Sequence, residues 1–194
     1  MTDFEAMYRK DADPWKVATC WYERRKRAVL MASLPGDRYH CALELGCGIG
    51  ETTHRLAAIC ERVHAVDLSA TAVQRCRQRL SDEEATRVCI EVLRLPEDWP
   101  SVTHGSVDLL VVAELAYYFS DAELGAFLER CSVSLAPLGD WVMCHYKADF
   151  HDRRQSTESL HQRVDQLAGL RPIVCHDDER FRLDIWRKTG QSQA

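Results

Sequence analysis

The sequence predicts an α/β protein, a mainly parallel seven-stranded sheet with helices on both faces and an antiparallel hairpin at its C-terminal edge. Three observations predict it. Short apolar runs alternate with stretches of helical period along most of the chain. One of them, Val107 to Ala113, is almost continuously apolar, as in a strand buried on both faces. A glycine-rich turn at residues 46–50 joins the first strand to the helix after it.

The elements follow in order. Residues 1–14 are polar and end in Asp11-Ala12-Asp13-Pro14, a helix-entry signal. A helical pattern runs from Trp15 to about Ser33 and is broken by Leu34-Pro35-Gly36. The period then changes. Cys41 to Leu45 is a short apolar strand, Glu51 to about Cys60 a helix, Val63 to Asp67 a second strand, and Ser69 to Leu80 a second covering helix. Val88 to Leu93 and Val107 to Ala113 supply strands three and four. Ser120-Asp121 caps a helix to about Leu135, and Pro137-Leu138-Gly139-Asp140 turns into a fifth strand, Trp141 to Tyr146. After a helix from Gln155 to Leu167, strands at 173–176 and 181–186 flank a hairpin-like turn, Asp177 to Arg180. No repeat or linker divides the 194 residues, which read as one domain.

Composition excludes several classes. Hydrophobic residues at 46% and charged residues at 28% are those of a globular chain, and the net charge of −5 disfavours a nucleic-acid partner. The one basic run, Arg24-Arg25-Lys26-Arg27, lies in a helix and reads as a solvated or carboxylate-pairing face. Nine cysteines without a C-x-x-C pair support neither a zinc site nor a disulfide framework, so no metal is expected and the compartment is a reducing one. The N-terminus carries acids and no apolar run, and no stretch is long enough to span a bilayer. The expected location is the cytoplasm.

The chemistry centres on Glu44-Leu45-Gly46-Cys47-Gly48-Ile49-Gly50. Glycines let a backbone turn tightly and lie against a ligand, and Asp67 at the end of the next strand can accept hydrogen bonds from two ribose hydroxyls. Dinucleotides and S-adenosyl-L-methionine both suit this layout. The third glycine comes one residue early for a dinucleotide fingerprint, and Glu51 at the helix start would repel a pyrophosphate. A methyl donor carries no phosphate, and its cationic groups suit Glu44.

These residues resemble motif I and its acidic partner in the Rossmann-like class I methyltransferases. Asp13-Pro14-Trp15, Cys20-Trp21-Tyr22-Glu23-Arg24-Arg25-Lys26, Leu34-Pro35, the segment from Ala42 to Cys47, and Val111 to Tyr118 narrow the resemblance to the nodulation protein S family. The similarity runs over about residues 4–130 and fades afterwards. It implies methyl transfer to the free amine of a de-N-acetylated chitooligosaccharide or a related small molecule. It further implies a donor site drawn from Glu44, Gly46, Gly48, Gly50, Asp67, Leu68, Arg94, Leu95 and Ala113. Residues 1–35 would fold over that site as a helical lid on a core of residues 36–194, with Tyr8, Trp15, Trp21 and Arg25 facing the donor and Arg25 pairing with its carboxylate. One departure stands out. The family type places an acid after the third strand, where this chain has Leu93-Arg94-Leu95-Pro96, and Arg94 cannot accept a hydrogen bond from adenine.

Methyl transfer from a sulfonium is an in-line displacement that needs no metal and rests on proximity, with a base to take an amine proton. Glu114, just beyond the fourth strand, is the first candidate for that base or amine contact. Tyr117 and Tyr118 are candidates for lining the acceptor pocket, and His145, ending the fifth strand, is a second candidate base. An O-methyltransferase of a natural-product pathway and a non-catalytic cofactor-binding module share the same loop. A nicotinamide-dependent oxidoreductase is disfavoured by Glu51.

Overall fold

The computed structural model describes residues 2–190. The strands form the expected mainly parallel seven-stranded sheet, and the chain divides into two compact units, residues 1–100 and 101–194.

The first unit contains α1 (Phe4–Lys10), α2 (Trp21–Ser33), β1 (Tyr39–Leu45), α3 (Glu51–Ala57), β2 (Cys60–Asp67), α4 (Ala70–Arg79), α5 (Asp82–Ala85) and β3 (Val88–Val92). Its strands lie in the order β3-β2-β1, all parallel, with Leu43 opposite His64 and His64 opposite Cys89. From Cys41 to Leu45 every residue of β1 is buried, as its apolar run predicts. From α4, Val73 and Cys76 pack with Cys47, Ala65 and Ile90, so the helix after Asp67 seals the space behind the glycine loop.

The N-terminal elements differ from expectation. Residues 4–10 form a helix capped by Asp3, and the second helix starts at Trp21 instead of Trp15. The Asp13 carboxylate accepts from the amides of Val17 (2.7 Å) and Ala18 (2.9 Å), and Lys16 sits at φ 55°. This local bonding turns the chain before a helix can propagate. Ser81 and Glu84 likewise close a reciprocal cap on α5, which periodicity did not reveal.

The second unit contains β4 (Val107–Ala113), a 3-10 turn (Ala116–Tyr118), α6 (Asp121–Ser134), β5 (Leu135–Tyr146), α7 (Thr157–Asp165), β6 (Leu170–Asp177) and β7 (Phe181–Lys188). The order is β4-β5-β7-β6, with β4 and β5 parallel and the last two strands antiparallel, as the terminal hairpin predicts. The expected turn at Pro137–Asp140 is an irregularity within β5. Pairing jumps from Val107–Leu135 to Leu109–Asp140, and Leu138 protrudes at φ 63°. Trp141 and Trp186 pair across β5 and β7, and both are fully buried. All nine cysteines are free, and among the described residues no helix is long and apolar enough to cross a membrane.

Candidate functional site

The loop after β1 is shaped by its glycines, with Gly46, Gly48 and Gly50 at φ 84°, 53° and 85°. L side chains rarely adopt these values. The amides of Gly46 and Cys47 donate to the carbonyl of Val66, and the Gly48 amide donates to Asp67 Oδ2 at 2.8 Å. Asp67 Oδ1 accepts from the Ser69 amide at 2.9 Å. One carboxylate therefore braces the loop against the turn after β2. Burial pushes Asp67 up, and hydrogen bonds from the Ser69, Gly48 and Leu68 amides offset only part of the rise.

Glu44 lies beneath this loop, buried to 4% exposure, where its Oε2 accepts from Thr53 Oγ1 at 2.6 Å. Burial raises its pKa to about 8 against the opposing Thr53 bond, so at neutral pH it is mostly a neutral acid tying β1 to α3. Glu51 opens α3 and pairs with Arg79 (2.7 Å) and Arg27 (3.2 Å).

The N-terminal segment covers the loop. Tyr8 is buried with Ile49 and Ala72, and its hydroxyl lies 2.9 Å from where a β-carbon on Gly48 would stand. Trp15 meets the Tyr8 ring edge-on at 5.5 Å. Glu5 docks α1 on the start of α4 by accepting from Ser69 Oγ (2.6 Å), Thr71 Oγ1 (2.7 Å) and the Thr71 amide (3.1 Å). The Ser69 and Thr71 bonds hold Glu5 at a pKa of about 2. Arg75 adds bonds to the carbonyls of Tyr8 and Asp11. Trp21 is 67% exposed, with the Arg25 guanidinium 6.0 Å from its ring, so the pair lies on one helix face as its spacing predicts. It is Arg27 that reaches Glu51, beside the loop. After β3, the Arg94 side chain is exposed while its amide donates to Asp98 Oδ2 at 3.1 Å; Leu95 is half-buried.

In the second unit β4 ends at Ala113, and Glu114 follows at φ 55°. Its Oε2 accepts from the Tyr117 hydroxyl and from the Tyr146 amide. The Tyr117 ring packs edge-on against Tyr118 (4.8 Å), Phe150 (4.9 Å) and His145 (5.2 Å). Burial, with the Glu114 charge adding to it, pushes Tyr118 up to about 12, so its hydroxyl stays protonated. His145 belongs to a buried relay. Its Nε2 accepts from the Ala116 amide at 3.4 Å, its Nδ1 lies 3.0 Å from His161 Nε2, and His161 Nδ1 lies 2.7 Å from Asp184 Oδ2. Two neutral imidazoles, each protonated on Nδ1, satisfy every one of these bonds in a single direction. His145 thus spends its lone pair on the backbone of the turn that presents Glu114.

The family model of nodulation protein S matches residues 4–150. The chain belongs to the nodulation protein S family. It is 30% identical over 146 residues to nodulation protein S of Sinorhizobium fredii, which spans 73% of this chain and 65% of that protein. The protein of Bradyrhizobium diazoefficiens is 34% identical over 129 residues, 64% of this chain and 58% of that one. The matched stretch is therefore less than two thirds of these curated relatives' length. The crystal structure of the N-methyltransferase nodulation protein S from Bradyrhizobium japonicum, in complex with S-adenosyl-L-homocysteine, shares the fold. Its TM-score is 0.81 at 22% identity, over 95% of this chain and 97% of that one.

For a member of the nodulation protein S family, the structure adds residues that motif reading passes over. Thr53 carries the partner of Glu44, Arg27 pairs with Glu51 at the loop's flank, and Phe150, His161 and Asp184 complete the cluster around Tyr117 and His145. Arg27 and Glu51 lie on different helices, so spacing carries no signal for their pairing. The rest meet only through tertiary packing.

Proposed function

We propose that the chain is an S-adenosyl-L-methionine-dependent methyltransferase that N-methylates the free amine of a small molecule or of a de-N-acetylated amino sugar. The observation that carries this reading is the Asp67 carboxylate bound to the Gly48 and Ser69 amides, beside a loop with glycine at positions 46, 48 and 50. The fit is good. Three amide bonds leave a carboxylate with acceptor capacity for a ribose hydroxyl, and the glycines let an aminoacyl chain lie against the main chain. Family membership and the S-adenosyl-L-homocysteine bound by the Bradyrhizobium japonicum protein support the same donor.

When bound, S-adenosyl-L-methionine supplies an electrophilic methyl group and leaves as S-adenosyl-L-homocysteine. The chain's own residues do the rest. Asp67 would hold the ribose and the loop would carry the aminoacyl chain, with Tyr8 packed over the loop and Trp15 against Tyr8. Glu114 would accept the amine proton that is lost as the new N–C bond forms, with the aromatic side chains of Tyr118 and Phe150, 5.6 Å apart, for the acceptor. His145 acts through Ala116 by holding the turn, as a positioning residue.

Calorimetric titration of S-adenosyl-L-methionine against the wild type and Asp67→Ala tests the donor. Saturable binding that the variant loses is expected; no binding by the wild type, or equal binding by both, overturns the reading. Mass spectrometry of a chitooligosaccharide with one free amine, beside its fully N-acetylated form, tests the acceptor class. A methyl group gained only by the free amine is the expected product.

A further inference from the structure

The geometry points to a divalent-metal site of the zinc class on the first unit, formed by His64 of β2 with Cys89 and Glu91 of β3. Ligand atoms from the three side chains lie within 4.8 Å of one another. The register creates the cluster. His64 is opposite Cys89, and Glu91 follows two positions along, so alternation along β3 returns its side chain to the face of Cys89. Ile90, between them, points the other way into the core with Val73 and Cys76.

The donor set selects the metal. One imidazole nitrogen, one thiolate and one carboxylate are the three ligand types that zinc accepts, whereas magnesium and calcium take oxygen. A thiolate and a carboxylate carry two negative charges, which neutralise a divalent ion without a further counter-charge. Zinc–sulfur and zinc–nitrogen distances of about 2.3 and 2.0 Å put tetrahedral ligand atoms roughly 3.5 Å apart. An independent observation comes from His64, whose Nδ1 is buried with no hydrogen-bond partner among the described residues. Buried ring nitrogens are normally satisfied, and one left without a partner beside a thiol and a carboxylate marks a place for a ligand. Arg77, whose charge acts on Cys89, has its guanidinium engaged by the Ile90 carbonyl.

Binding is a proton-for-metal exchange. The Cys89 S–H bond breaks, the proton passes to buffer, and the sulfur lone pair is donated to the ion with no change of oxidation state. Three protein ligands leave a fourth position for water. The ion would pin β3, the edge strand of its unit, to β2, steadying the strand that runs into Leu93 and Arg94.

The test is a titration of zinc ion alone into the full chain, in competition with a chromophoric chelator, and of cobalt(II) followed by its thiolate charge-transfer absorption. One saturable site per chain is expected. Cys89→Ser abolishes the cobalt–thiolate band, His64→Gln and Glu91→Gln each weaken zinc by at least about tenfold, and Cys175→Ser, which changes another exposed thiol, leaves both unaltered. Absence of saturable binding overturns the site, and so does binding that persists in both Cys89→Ser and His64→Gln. Binding that disappears with Cys175 also overturns it.

Discussion

The Tyr8 hydroxyl stands 2.9 Å from the point that a β-carbon on Gly48 would occupy, so the N-terminal segment is fitted to a residue with no side chain. Gly48→Ala is therefore expected to lower S-adenosyl-L-methionine affinity, with strain from its φ of 53° and from the hydroxyl together. Removing the hydroxyl as Tyr8→Phe relieves the second part only. A double-mutant cycle on binding is expected to show coupling of about 0.5–3 kcal/mol in the rescuing direction.

Gly50 is stricter. An added β-carbon would lie 2.5 Å from Cys76 Sγ and 3.1 Å from the Cys76 backbone, at φ 85°. Gly50→Ala should destabilise the fold by about 1–3 kcal/mol through backbone strain alone, and by more with the clash. Denaturant midpoints at constant slope measure this. Cys76→Ala in the same chain recovers only part of the loss, because the backbone contact remains.

Glu44 gives a pH signature. Its folded pKa of about 8 stands above the ordinary 4.5, so the folded state holds the proton more tightly. The sign follows directly. The contribution is full below pH 4.5 and is lost as pH rises through about 8, an effect on the order of a few kcal/mol. Glu44→Gln keeps an acceptor for Thr53 and removes the titration. Urea unfolding at pH 5 and pH 8 is expected to show a smaller decline for the variant.

Glu5 has the opposite sign. Its pKa is lowered from 4.5 to about 2, so docking of α1 is complete above pH 4.5 and weakens only as pH falls toward 2. Glu5→Gln should loosen the helix at neutral pH. Trp15, which packs on Tyr8 and Phe4, reports this by fluorescence quenching, and unchanged quenching in the variant would refute the docking role.

The His145 relay is separable from donor binding. His161→Leu removes the acceptor for His145 and the donor to Asp184, so transfer should fall while S-adenosyl-L-methionine affinity holds. His161→Gln can supply both bonds and should restore much of the rate. Nitrogen-15 spectra of the histidines are expected to show His145 protonated on Nδ1 in the wild type.

What was legible in the sequence was whatever is local. The loop from Gly46 to Gly50 and Asp67 at the next strand end stand close in sequence, so spacing reveals them. The sheet followed because strands such as β1 and β4 carry unbroken apolar runs. The sequence pattern places the start of α2 too early because Asp13 bonds the amides of Val17 and Ala18 and turns the chain there. His161 and Asp184 could not be read at all, since their contact joins a helix to an edge hairpin 23 positions on. The same holds for His64 and Cys89, which only strand register makes neighbours.

Glu114 occupies a left-handed backbone conformation in which glycine would be at ease. Glu114→Gly would ease the backbone there and leave the chain empty of the carboxylate that Tyr117 and Tyr146 address. Under the role proposed for Glu114, a library selected for turnover would purge that change. Position 114 is thus where backbone ease and the proposed chemistry ask for different residues.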